Sequence, residues 1–135
     1  MRLIELLYKV NIVKLCGNND VDVLDINFDS RKIKHGGLFV AIKGENVDGH
    51  NYIQDTILNG ARVIVSEILP KLLDENITYV QVKNSKQALG LISSNFYNNP
   101  SGKIKLIGVT GTNGKTTIVT LLHQLFSLFR IKVGM

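Results

Sequence analysis

The 135-residue sequence has a single cysteine, Cys16. One thiol cannot close a disulfide within the chain or supply the paired cysteines of a metal knuckle, and such sparing use suits a reducing cytosol. Long apolar runs are also missing: no window approaches the ~20 apolar residues that a membrane span requires. The opening MRLIELLYKVNIVKLC sets Arg2 before an apolar-looking stretch. Glu5, Lys9, Asn11 and Lys14 interrupt it and no small-residue cleavage site follows, which excludes a signal peptide. The formal net charge is +5, but the lysines are scattered and no basic run is interleaved with aromatics. That distribution gives no nucleic-acid groove and leaves a solvated basic surface or a small phosphorylated ligand. No internal repeat or low-complexity segment is present. Neither His35 nor His123 has neighbours in the sequence that would make a catalytic triad or a metal cluster.

The composition, 44% hydrophobic and 20% charged residues, is that of a globular protein with a packed core. Its length allows one ordinary domain and is too short for two complete ones. Leu3, Leu6, Leu7 and Val10 recur at helical spacing and predict a short amphipathic helix. VDVLDINF (21–28) predicts an extended, irregular segment, and GGLFVAIKG (36–44) a buried strand. A helix follows with Ile53, Ile57 and Leu58 on one face and Gly60 at its C-terminal cap. RVIVS and ITYVQV (77–82) are further strands. NSKQALGLISSNFY (84–97) is a helix capped by Asn84 or Ser85, with Ala88, Leu91, Ile92 and Phe96 as its buried stripe. The expectation is a small α/β unit over residues 1–98.

NNPSGK (98–103) is the boundary, with Pro100 ending the helix. Beyond it KIKLIGVT predicts a new buried strand, and Ile118, Leu121, Leu122, Leu125 and Phe129 a second amphipathic helix before IKVGM begins another strand. Between strand and helix stands GTNGKTT. Gly111 and Gly114 permit backbone conformations that turn successive N–H groups toward phosphate oxygens, and the amides opening the helix favour the same charge. Lys115 would reach the β and γ phosphates, the Thr116 hydroxyl would ligate Mg²⁺, and Asn113 and Thr117 are further donors. The strict G-x-x-x-x-G-K-[ST] pattern fails because position 109 is valine. On residues alone this is a phosphate loop of unspecified chemistry, since kinases, ATPases and ligases all use one.

The stretch GVTGTNGKTT resembles the ATP loop of the Mur ligases, the ATP-dependent amide-forming enzymes of peptidoglycan synthesis, and of the folylpolyglutamate synthetases. DSRKIKHGGLFVAIKGENVDGHNYI, followed by NGARVIVSE, resembles the UDP-binding first domain of the MurE and MurF branches, and FYNNPSGKIKLIGVTGTNGKTT is closer to the MurE branch, the tripeptide synthetases. The resemblance spans essentially the whole chain. It implies a UDP-sugar-binding α/β domain (1–98) followed by the first strand, loop and helix of a truncated P-loop ATPase domain (99–135), and hence a fragment inactive by itself. It also implies a cytoplasmic, monomeric ligase of cell-wall synthesis. Such a ligase uses ATP and Mg²⁺ to join a diamino acid, meso-diaminopimelate rather than L-lysine, to UDP-MurNAc-L-Ala-D-Glu through an acyl phosphate. The alternatives are a MurF-type ligase and a UDP-sugar-binding module without turnover.

Carried onto this sequence, the resemblance implies ATP contacts at Gly111, Thr112, Asn113, Gly114, Lys115, Thr116 and Thr117, with Lys115 catalytic and Thr116 on the metal. It implies uridine-nucleotide contacts at Phe28, Ser30, Glu45, Asn46 and Val47. The acidic Glu45 side chain is a poor phosphate contact, so backbone amides are expected to serve there. Asp29-Ser30 and Asp48-Gly49-His50 also read as plain turns, Tyr52, Phe96 and Tyr97 as packing residues, and Arg31 either as a phosphate ligand or as half of a surface ion pair.

Overall fold

The computed structural model describes residues 1–45 and 47–134. The chain falls into two compact units, Met1–Ser101 and Gly102–Met135.

The first unit is built on a five-stranded sheet of order β1-β5-β4-β3-β2. Its strands are β1 (Ile12–Cys16), β2 (Ile26–Asn27), β3 (Gly37–Val40), β4 (Ala61–Ser66) and β5 (Thr78–Val82). β2 through β5 run parallel, and β1 joins β5 antiparallel at one edge. Strands covered on both faces need apolar residues at every position. β3 and nearly all of β4 and β5 are accordingly buried, whereas the edge strand β1 is exposed over its first three residues.

Alternate residues of the sheet feed two cores. Val23, Leu38, Val40, Val63, Val65, Val80 and Val82 meet Leu3, Leu6 and Leu7 from α1 (Leu3–Leu6) and its C-cap, and Ala88 and Ile92 from α3 (Ser85–Phe96). On the opposite face Phe39, Ala41, Ile64 and Tyr79 meet Ile53 of α2 (Ile53–Leu58) and Ile33. Each such aliphatic or aromatic side chain contributes roughly 1.5–3 kcal/mol by leaving water.

Several expectations are corrected by the structure. Residues 12–16, for which the sequence pattern predicts no strand, pair with β5, and the single turn of α1 stops at Leu6. Of residues 21–28 only Ile26 and Asn27 form a strand, although Arg2 and Asp22 make an isolated bridge. Leu58 and Leu91 are exposed, because each helix turns only a narrow stripe to the sheet. α3 ends before Pro100: Asn98 and Asn99 adopt left-handed φ of 58° and 51°, which asparagine tolerates better than most residues, and the Asn99 N–H donates to Ser94 O at 2.7 Å.

In the second unit α4 spans Lys115–Leu128. The expected strands over 103–110 and from 131 are absent among the described residues, and Ile104, Leu106 and Ile107 are exposed. A strand exists only against a partner that takes its backbone hydrogen bonds, and no described residue pairs with these segments. Met135 lies outside the described residues.

Candidate functional site

A cavity of about 740 Å³ in the first unit opens beyond the carboxyl ends of β2 and β3, and the first turn of α3 contributes Lys86 to its lining. Open parallel sheets place their ligand crevices at that end, because the loops leaving the strands converge there. Phe28, Asp29, Ser30 and Arg31 line it from the segment after β2, and Ile42, Gly44, Val47, Gly49 and Tyr52 from the segment after β3. Phe39 and Lys86 complete the lining. Phe28, Val47 and Tyr52 are 62%, 57% and 39% exposed, so three large apolar side chains left open to solvent meet in one place.

Two aspartates shape these segments in the same way. The Asp29 carboxylate caps the 3₁₀ turn Ser30–Lys32, accepting from the Arg31 backbone N–H at 3.1 Å. It also accepts the Arg31 guanidinium through Nε and Nη2, each at 2.9 Å. Those bonds to Arg31 hold the Asp29 carboxyl down at about 2. Asp48 caps the 3₁₀ turn Gly49–Tyr52, accepting from the His50 N–H at 3.0 Å and contacting His50 Nδ1 at 2.7 Å. His50 Nε2 accepts the Glu67 N–H at 3.2 Å, so the ring proton sits on Nδ1 and is donated to Asp48. The bonds from His50 lower the Asp48 pKa below its ordinary 3.8. Both aspartates therefore steady their turns fully above the ordinary carboxylate range and lose that contribution as pH falls through their lowered folded values.

The chain of contacts continues into α3. The Glu67 carboxylate accepts the Ser85 N–H at 2.9 Å, and Asn84 Oδ1 accepts the Gln87 N–H at 2.9 Å, so two side chains cap this helix. Gly49 closes the loop after β3: its N–H donates to Ile42 O at 2.9 Å, and a Cβ there would stand 2.8 Å from Ile42 N. With the Gly44 N–H on Val47 O at 2.9 Å, the loop is folded so that Val47 lines the cavity.

The sequence-derived uridine residues divide three ways. Phe28, Ser30 and Val47, distant in sequence, line this one cavity. Glu45 is exposed and is not part of the lining. Asn46 lies outside the described residues. Arg31 is paired with Asp29, and Tyr52, expected as a packing residue, lines the cavity. Lys86 was missed. Its signal was available: a lysine in the first turn of a helix opposes the helix dipole.

In the second unit Gly114 is the N-cap of α4, with φ 78°, a left-handed conformation costly for a residue with a Cβ. No side chain caps this helix. The first helical bond runs from the Ile118 N–H to Gly114 O at 2.9 Å, so the amides of Lys115, Thr116 and Thr117 precede the intrahelical ladder. Gly111 has φ 153°. Lys115 Nζ folds back to donate to Gly111 O and, at 3.3 Å, to Thr112 O. The lysine, both glycines, Thr112, Asn113, Thr116 and Thr117 are exposed along this loop. Among the described residues no cluster of His, Cys, Asp or Glu could hold a metal ion by itself. Mg²⁺ held mainly by phosphates and water needs only one or two protein oxygens, and the Thr116 hydroxyl fits that demand.

A mixed α/β unit with a parallel sheet and a cavity beyond its carboxyl edge defines a class of ligand-binding protein. The sequence profile described as "Mur ligase family, catalytic domain" matches residues 23–97, and the chain belongs to that family. It is 50% identical over 136 residues to a "UDP-N-acetylmuramoyl-L-alanyl-D-glutamate--2,6-diaminopimelate ligase" of Cytophaga hutchinsonii, covering 100% of this chain and 28% of the relative. The chain therefore spans little more than a quarter of the length of the curated relatives it matches. Among solved structures it is similar to a UDP-N-acetylmuramoylalanyl-D-glutamyl-2,6-diaminopimelate--D-alanyl-D-alanyl ligase of Acinetobacter baumannii, with TM-score 0.59 and 26% identity over 93% of this chain and 27% of that one. A MurF ligase of Thermotoga maritima in complex with ADP matches at TM-score 0.50 and 30% identity, over 69% of this chain and 21% of that one.

Proposed function

We propose that the chain supplies the uridine-nucleotide unit and the opening of the ATP site of a ligase that joins meso-diaminopimelate to UDP-MurNAc-L-Ala-D-Glu. The observation that carries this is the convergence of Phe28, Ser30 and Val47 on one cavity. Exposed apolar side chains cost free energy in water, and a planar base with polar edges relieves that cost while Ser30 offers it a hydrogen bond. The relative at 50% identity carries the diaminopimelate ligase name, which favours this amine over L-lysine and this branch over MurF.

In the second unit Gly111 to Thr117 are proposed to hold the ATP phosphates. The glycine cap and the uncapped first turn suit an anion, and the similarity to a Thermotoga ligase in complex with ADP supports an adenine nucleotide. Lys115 would exchange its loop carbonyls for β and γ phosphate oxygens. The Thr116 hydroxyl would hold a Mg²⁺ ion, which would supply charge neutralisation to the same phosphates. An oxygen of the D-glutamate γ-carboxylate attacks the γ-phosphorus and ADP departs, giving an acyl phosphate. The deprotonated amine of the diamino acid then attacks the acyl carbon, and the tetrahedral adduct expels phosphate to leave the amide. Lys115 contributes by matching the negative charge that gathers on the transferring group.

A second reading concerns the 135-residue chain alone. Its cavity and both cores lie within Met1–Ser101, which favours a unit that binds uridine nucleotides without turnover. The test is phosphate release by a full-length ligase carrying this chain. Release should require both UDP-MurNAc-L-Ala-D-Glu and meso-diaminopimelate, with L-lysine about 10⁴-fold poorer, the scale expected when polar groups go unpaired. Release without the UDP substrate, or a preference for L-lysine, contradicts the assignment.

A further inference from the structure

Among the described residues two cations line the first-unit cavity, Arg31 and Lys86. Arg31 is already engaged: its guanidinium forms a two-point fork with Asp29, and that carboxylate has no competing cation among the described ion pairs. Lys86 is exposed and has no hydrogen bond or ion pair among the described residues. It sits in the first turn of α3, where the helix dipole and the N-terminal amides disfavour a positive charge. The fold does not relieve that conflict locally. Glu67 Oε1 and Asn84 Oδ1 take the Ser85 and Gln87 amides, and neither residue pairs with the ammonium among the described residues. The Glu67 bond ties the first turn to the residue that follows β4, and the Asn84 cap closes that turn on itself, so the two fix where the lysine starts.

We infer that Lys86 is the diphosphate-binding residue of the cavity, meeting the charged tail of the uridine nucleotide while Phe28, Val47 and Tyr52 take the base. This rests on the reading of the cavity as a uridine-nucleotide site and adds what that reading leaves open, the counter-charge for the phosphates. A lysine suits this task, since its ammonium is a point charge on a flexible stem, whereas the Arg31 guanidinium already has its charge matched by Asp29 through Nε and Nη2.

The experiment is calorimetric titration of the 135-residue chain with UDP and with uridine, for the unaltered protein and for Lys86→Gln and Lys86→Arg. Lys86→Gln should weaken UDP binding roughly 10- to 100-fold, as loss of a charge-assisted hydrogen bond does. Uridine binding should be unchanged, and Lys86→Arg should restore most of the UDP affinity. Raising the salt concentration should weaken UDP binding to the unaltered protein more than to Lys86→Gln. Urea unfolding should show Lys86→Gln no less stable, because it removes a cation from a helix N-terminus. UDP affinity unchanged in Lys86→Gln overturns the inference and leaves the uridine site standing; equal weakening of UDP and uridine also overturns it, as a structural effect. Absence of UDP binding by the unaltered protein removes the uridine reading and the inference together.

Discussion

Replacing Lys115 with alanine in a full-length ligase carrying this chain is expected to lower kcat by about 10³-fold or more, the scale seen when a charge on a transferring phosphoryl group is removed. The effect should fall on kcat rather than on the KM for the UDP substrate, because Lys115 is assigned to the transferring phosphoryl group and is not among the residues lining the uridine cavity. The fold should be indifferent. Lys115 is exposed, and among the described residues its ammonium hydrogen-bonds the carbonyls of Gly111 and Thr112 and no others. Steady-state kinetics beside urea unfolding checks both halves. A variant with unaltered kcat would remove Lys115 from the chemistry, and a large loss of stability would make its role structural.

The second large effect distinguishes two phenylalanines of one cavity. Phe39 is fully buried on β3 and also lines the cavity, whereas Phe28 is 62% exposed. Phe39→Ala should cost about 3–5 kcal/mol, the usual range for deleting a buried aromatic ring. That is a large share of the 5–15 kcal/mol typical of a domain's total stability. Phe28→Ala should leave stability within about 0.5 kcal/mol, as exposed substitutions do, yet weaken UDP binding about ten-fold or more through the lost stacking surface. Urea unfolding and UDP titration of both variants test the contrast. Stability losses of equal size, or a Phe28→Ala protein that binds UDP normally, would contradict it.

Elements with both faces buried were legible in the sequence. β3, β4 and β5 appeared as short apolar runs, and α3 appeared through its Asn84 cap and the spacing of Ala88 and Ile92. β1 was not legible, because Ile12 and Val13 are exposed at an antiparallel edge and Lys14 breaks the apolar run. Residues 103–110 carry a strand's composition without a strand's partner, and pairing, unlike composition, is not local. The site divides along the same line. Phe28, Ser30 and Val47 could be placed by resemblance. Tyr52 and Lys86 reach them only because the parallel sheet brings the segments after β2 and β3 and the start of α3 to one edge, a juxtaposition that spacing along the chain does not disclose. Asp29-Ser30 and Asp48-Gly49-His50, readable as turns, are turns, and both also border the cavity.

The central claim, that the cavity beyond β2 and β3 receives a uridine nucleotide, is tested most directly by titrating the ¹⁵N-labelled 135-residue chain with UDP and following its backbone amide resonances. The largest saturable shifts should fall on residues 28–31, on Gly44, Val47, Gly49 and Tyr52, and on the first turn of α3, with Gly111 to Thr117 unmoved. Shifts centred elsewhere, or none at millimolar UDP, would contradict the account.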